Sequence, residues 1–185
     1  MDADQSYLLD GYSQKLILLY QKSGKVQELQ EELTHYVLNH RQNDLEYVQL
    51  LKEVSPAEEW CKLSEQLQLS KSMQNIWDRF LIFEELWETL MRKIEFSADT
   101  MLLNRHKEAL GERFPNRVRD LWLRIAEEFM LHADNRGSYR HAASLLVNAM
   151  CYPGGKEKAF TVASTWKLTY PRRTALKEEL KKVGL

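Results

Sequence analysis

The chain is short of the residues that shape β-structure. Its 185 residues include 7 glycines, 4 prolines and 13 valines plus isoleucines, against 29 leucines. That is poor material for strands and hairpins and good material for helices. Cysteine is scarce as well: Cys61 and Cys151 cannot frame a disulfide scaffold, and both are expected reduced and buried. No segment reaches the roughly 18 uninterrupted apolar residues of a membrane span, and the first twenty residues hold no basic region leading into an apolar stretch. The simplest expectation is a cytoplasmic protein without a membrane partner. What the chain does have is 44% hydrophobic and 29% charged residues, a composition that excludes disorder. The net charge of −1 hides an asymmetry, with 10 Lys/Arg against 18 Asp/Glu over residues 1–100 and 16 against 9 over 101–185.

Hydrophobic periodicity predicts helices from end to end. Leu9, Tyr12, Leu16, Leu19 and Tyr20 define one from about 7 to 22. Ser23-Gly24 ends it, and Val26, Leu29, Leu33, Tyr36 and Val37 start the next, so that 7–39 reads as an antiparallel hairpin. A polar turn at His40 to Asn43 precedes a short helix carrying Leu45, Val48, Leu50 and Leu51. Ser55 is the expected N-cap of the next, with Pro56 at its first position and Glu58 completing a capping box. Residues 73–96 are apolar on more than one face and are expected to form one central helix, its polar approach at 69–72 the best place for an internal boundary. Ser97 caps the following helix. Pro115 opens another to about 133, with Val118, Leu121, Trp122, Ile125 and Phe129 on one face, and Ser138 caps the next. After Pro153-Gly154-Gly155 two last helices are expected, about 156–167 and 172–183. The expected fold is all-α: nine or ten helices in antiparallel hairpins, stacked as a short tetratricopeptide-like or HEAT-like α-solenoid in a single domain over 1–185.

Catalytic and metal-binding patterns are missing. Five Glu-Glu doublets, at 31–32, 58–59, 84–85, 127–128 and 178–179, point about 100° apart on a helix, which makes solvated faces of them and not acid–base pairs. The five histidines include no i, i+4 pair, and neither cysteine belongs to a Cys-x-x-Cys. Pro153-Gly154-Gly155-Lys156-Glu157 lacks the Ser or Thr of a phosphate-binding loop, and no Gly-x-Ser-x-Gly elbow is present. No catalytic residue, cofactor, metal or small-molecule substrate is therefore expected. Cys151 reads as a small apolar side chain beside Met150.

One electrostatic signal remains. Lys167, Arg172, Arg173, Lys177, Lys181 and Lys182 lie within sixteen residues, opposed only by Glu178 and Glu179. They could contact a partner or the phosphates of a nucleic acid, or simply complement helix C-termini in solvent. A third reading pairs the acidic first half with a basic surface on a partner or another copy.

The runs KEALGERFPNRVRDLW (107–122), NRGSYRHAASLL (135–146) and YPRRTALKEELKKVGL (170–185) resemble the C-terminal helical region of bacterial SWIM zinc-finger family proteins. Residues 44–47 and 55–60 fit the same tail. The resemblance implies the C-terminal part of a larger protein, with the zinc finger upstream. The Cys-x-Cys and Cys-x-His pairs of that finger are absent here, so zinc binding does not carry over. Together these readings predict a non-catalytic helical scaffold that binds another protein through aromatic and arginine anchors, the alternative being a nucleic-acid-binding accessory domain using the basic end. Tyr7, Tyr12, Tyr36, Trp60, Trp166 and Tyr170 are the aromatic candidates.

Overall fold

A computed structural model describes the backbone of residues 3–39 and 44–185, and the side chains of 11–39 and 44–185. The expected turn at 40–43 and the Tyr7 and Leu9 side chains lie outside the described residues. The chain is all-helical: eleven α-helices, one 3-10 turn and no strand among the described residues. None of these helices is long and apolar enough to cross a membrane. The chain divides into two compact units, Met1–Leu90 and Met91–Leu185. Residues 1–90 carry 8 Lys/Arg against 16 Asp/Glu and residues 91–185 carry 18 against 11, so the charge asymmetry follows the division into units.

In the first unit, α1 (Ala3–Ser23) and α2 (Val26–Asn39) form the expected hairpin. Leu29, Leu33, Tyr36 and Val37 fall at helical spacing and are buried. α2 also meets α3 (Leu45–Val54), and Tyr36 packs on Tyr47 with ring centroids 4.6 Å apart. Asp44 caps α3 by accepting from the Glu46 amide. At α4 (Ala57–Leu69) Pro56 is the cap residue itself, and the Ser55 hydroxyl turns back to donate to the Leu51 carbonyl at 2.6 Å instead of capping forward. Residues 69–72 lead into a 3-10 turn (Lys71–Met73) inside this unit, where the buried Ser72 hydroxyl donates to the Val37 carbonyl at 2.8 Å.

The expected single helix over 73–96 is broken into α5 (Trp77–Phe83) and α6 (Trp87–Ser97). Glu85 adopts φ +56°, and the Leu86 amide donates to Leu81 O (2.7 Å) while the Glu85 amide donates to Ile82 O (3.0 Å). This is a Schellman closure with glutamate where glycine is usual. Glu84, at the break, accepts from Lys52 Nζ (2.9 Å) on α3 and from Trp60 Nε1 (3.2 Å) on α4. The break explains the several apolar faces: Ile76, Phe80, Leu81, Leu90, Met91 and Ile94 are all fully buried, without having to share one helix stripe. It also accounts for a helix count above nine or ten.

The second unit is built around α8 (Pro115–His132) and α9 (Arg136–Met150), which pack on one another most extensively. α7 (Thr100–Arg113) lies against α8, α10 (Gly155–Thr169) against α8 and α9, and α11 (Thr174–Lys182) against α9 and α10. Asp99, not Ser97, caps α7, accepting from the Met101 and Leu102 amides. Asn135 caps α9, with Ser138 completing the reciprocal box three residues on. Val118, Leu121, Trp122 and Ile125 form the buried face of α8 as the pattern predicts, whereas Phe129, 37% exposed, lies at its edge.

Candidate interaction site

The basic C-terminal residues do not act as one cluster. Arg173 is built into the fold: its Nη1 donates to the Ala133 carbonyl at 2.7 Å, and its guanidinium lies over the Tyr170 and Tyr139 rings at 4.1 and 5.6 Å. It thereby joins the turn before α9 to the turn before α11. Lys177 donates to the Pro171 carbonyl (2.8 Å) and Lys182 to Glu179 (2.6 Å). Glu179, only 2% exposed, also meets Arg140 at 3.4 Å, while neighbouring Glu178 pairs with Arg136. The hydrogen bond from Lys182, with help from Arg140, holds the Glu179 carboxyl below the usual range. Glu179 is therefore a structural tie, while Glu178 stays on the solvated face. The side chains of Lys167, Arg172 and Lys181 have no hydrogen-bond or carboxylate partner among the described residues. Arg172 and Lys181 are exposed and Lys167 is half-buried.

Among the described residues no group of His, Cys, Asp and Glu is placed to hold a metal ion. The Pro153-Gly154-Gly155 segment has a packing role. Gly154 sits at φ +68°, and Gly155 is so close to α9 that a Cβ there would stand 1.9 Å from the Ala149 carbonyl oxygen. Arg119 fixes this turn: its Nη1 donates to Pro153 O at 2.5 Å and to Asn116 at 2.9 Å, and its other two nitrogens hold both Asp120 oxygens at 2.8 and 3.0 Å. Lys158 on α10 closes on Asp120 at 2.8 Å. With Arg119 bonded to it first and Lys158 second, the Asp120 carboxyl falls to about 2. Such a network positions elements and leaves no free acid or base for chemistry.

That turn forms one wall of a cleft of about 510 Å³ within the second unit, between α7, the start of α8 and the end of α9. A volume of this size suits a side chain or a small ligand. Its apolar surface comes from Tyr152, Pro115 and Pro153, with the buried edge of Trp122 beneath them. Tyr152 is positioned by Gly111: the ring lies where a Cβ would be, with Cε1 at 2.7 Å from it. Its hydroxyl is 3.5 Å from the Lys107 carbonyl, and burial pushes the phenol up. Lys107, Glu108 and Glu112 line the cleft from α7, and Asn148 and Cys151 from α9 and its C-cap. Both Cys151 and Cys61 are exposed, contrary to expectation; Cys151 sits at the C-cap of α9, past the last turn that packs on α8.

None of the cleft residues was read from sequence as a binding residue: Pro115 was expected as a helix start, Trp122 as part of a core face, Pro153 as a chain break and Cys151 as a small apolar side chain. The aromatic candidates fare unevenly: Tyr36, Trp60 and Trp166 are core residues, Tyr170 is half-buried under Arg173, and Tyr12 is 63% exposed. The most exposed aromatic among the described residues, Phe96 at 91%, was not among them. The signal for the cleft was present in Gly111 within a helix and in the adjacent Tyr152-Pro153, but only the fold brings them together. Compared with known proteins, the chain matches no family profile, no curated protein and no solved structure.

Proposed function

We propose that the chain is a non-catalytic, protein-binding helical module whose anchor site is the cleft between α7, α8 and α9, within a protein of the SWIM zinc-finger type. The observation that carries this reading is the aromatic- and proline-walled cleft, large enough for one or two side chains of a partner. Binding energy at protein interfaces concentrates in such pockets, with a polar rim that excludes water. The second unit also has the neighbour pattern of stacked hairpins, α8 with α9 and α10 with α11, α8 touching α10 and α9 touching α11. That pattern supports a tetratricopeptide-like arrangement in this half, and cytoplasmic interaction partners would suit it.

The test is capture of binding proteins by immobilised chain carrying Cys61→Ser, with Cys151 either free or alkylated by N-cyclohexylmaleimide, which places a bulky ring at the cleft. A partner lost on alkylation supports the reading; a partner set that is unchanged contradicts it. The second reading, nucleic-acid binding, is favoured by the excess of cations in residues 91–185 and by the unpartnered Lys167, Arg172 and Lys181. Its test is fluorescence anisotropy of labelled DNA and RNA at about 50 and 200 mM salt with an Arg172→Ala/Lys181→Ala variant. Steep salt dependence together with weakening in the variant would promote it, and no binding at low salt would end it.

A further inference from the structure

We propose that the cleft of the second unit recognises a basic, apolar peptide segment of a partner protein: an aromatic or aliphatic side chain seated against Tyr152, Pro115 and Pro153, with the cationic head of a neighbouring Lys or Arg held by Glu108 and Glu112. The proposal rests on the interaction reading above and adds the chemistry of the partner.

Three observations carry it. Glu108 and Glu112 both line the cleft, one helical turn apart at i, i+4 on α7, and neither has a hydrogen-bond or ion-pair partner among the described residues. Two like charges at that spacing repel within a helix, a cost that a cation bound between them removes. Secondly, the charge balance of the lining is negative, two carboxylates against the single ammonium of Lys107. Lys107 and Gly111 form the neighbouring row of α7, the row covered by the Tyr152 ring and hydroxyl, which leaves the row of Glu108 and Glu112 open to a ligand. Thirdly, the remaining lining is apolar, which suits a hydrocarbon body better than a polar metabolite.

The cationic excess of residues 91–185 does not oppose this. With a Debye length of about 8 Å at physiological ionic strength, distant charges are screened while contacting pairs are not.

Cys151 reports on the cleft directly, because it is exposed and part of the lining, and Cys61 on α4 is an exposed internal control in the first unit. The experiment measures N-ethylmaleimide alkylation of both thiols by mass spectrometry. It is run with three terminally blocked peptides, Gly-Phe-Lys-Leu-Gly, Gly-Phe-Glu-Leu-Gly and Gly-Ser-Lys-Ser-Gly. The Phe-Lys-Leu peptide at ten times its dissociation constant should slow Cys151 alkylation about tenfold, leaving Cys61 unchanged. The Phe-Glu-Leu and Ser-Lys-Ser peptides should need at least about fivefold higher concentrations. In the Glu108→Gln/Glu112→Gln variant, whose exposed helical substitutions conserve helix propensity, the Lys-over-Glu preference should vanish while Phe-dependent protection persists.

Equal protection by the Lys and Glu peptides, or a preference unchanged in the variant, would overturn the proposal and leave the interaction reading standing. Absence of protection by all three peptides would overturn it as well, and the Cys151 capture experiment would then decide the interaction reading separately.

Discussion

Replacing Gly155 by alanine tests whether α9 and α10 are as close as described. The added methyl would stand 1.9 Å from the Ala149 carbonyl oxygen, 2.8 Å from its carbon and 3.1 Å from the Met150 Cα, all backbone atoms that cannot rotate away. Relief requires moving the N-terminal turn of α10 by roughly 1.5 Å, the gap between the clash and an ordinary contact, against Arg119–Pro153 and the Asp120–Lys158 pair. Overpacking of this kind costs about 1–3 kcal/mol where side chains can adjust, and the rigid backbone places Gly155→Ala at or above the upper end. Urea unfolding followed by far-UV circular dichroism is the assay. With a slope of about 2 kcal/mol/M, the midpoint should fall by at least about 1.5 M. Gly11→Ala is the control: nothing lies within 4 Å of its Cβ position inside α1, so the substitution should be neutral or raise stability by about 0.5–1 kcal/mol. A Gly155→Ala midpoint equal to wild type would refute the close approach and with it the geometry of the cleft wall.

Further predictions concern the charged ties. Asp120 has a folded-state pKa of about 2, below its ordinary value, so its stabilisation is present above about pH 4 and is lost as the pH falls toward 2. Asp120→Asn should flatten the fall in urea midpoint between about pH 4 and 2; because the side chain is 48% exposed the effect at neutral pH should stay under about 1 kcal/mol. Arg173→Ala should cost about 1.5–3 kcal/mol, since it strands the buried Ala133 carbonyl and removes two ring contacts, whereas Arg172→Ala should stay within about 0.5 kcal/mol. Equal effects of the two in urea titrations would contradict their assignment. Glu84→Ala should cost about 2–3 kcal/mol by unpairing the buried Trp60 indole and Lys52, read as a lowered midpoint of tryptophan fluorescence.

The helical class was legible because leucine periodicity and scarce glycine act locally, and the buried faces of α2 and α8 followed the pattern, Phe129 excepted. The break at Glu84–Leu86 was not legible, because no glycine or proline marks it: tertiary ties from Lys52 and Trp60 to Glu84 hold a glutamate in a left-handed turn. Cap positions shifted by one to three residues where two polar candidates competed, as with Ser97 and Asp99 or Asn135 and Ser138. The basic run at 167–182 misled for a related reason: sequence counts charges but cannot say that Arg173 faces a carbonyl and two rings while Arg172 faces solvent. The cleft was the least visible feature, since its walls come from residues 107–122 and 148–153, and the small volume of Gly111 becomes meaningful only once Tyr152 is seen to fill it.

The central claim is that partners engage the cleft of residues 91–185. The most direct measurement places a benzophenone photo-crosslinker on Cys151 in a Cys61→Ser chain, and on Cys61 in a Cys151→Ser chain, and compares the proteins captured on irradiation in cell extract. Glu108→Gln/Glu112→Gln in the first chain serves as a charge control. The expected result is a defined partner crosslinked from Cys151, absent from the Cys61 probe and reduced by the charge control. The same proteins captured from both positions, or none from Cys151, would contradict it.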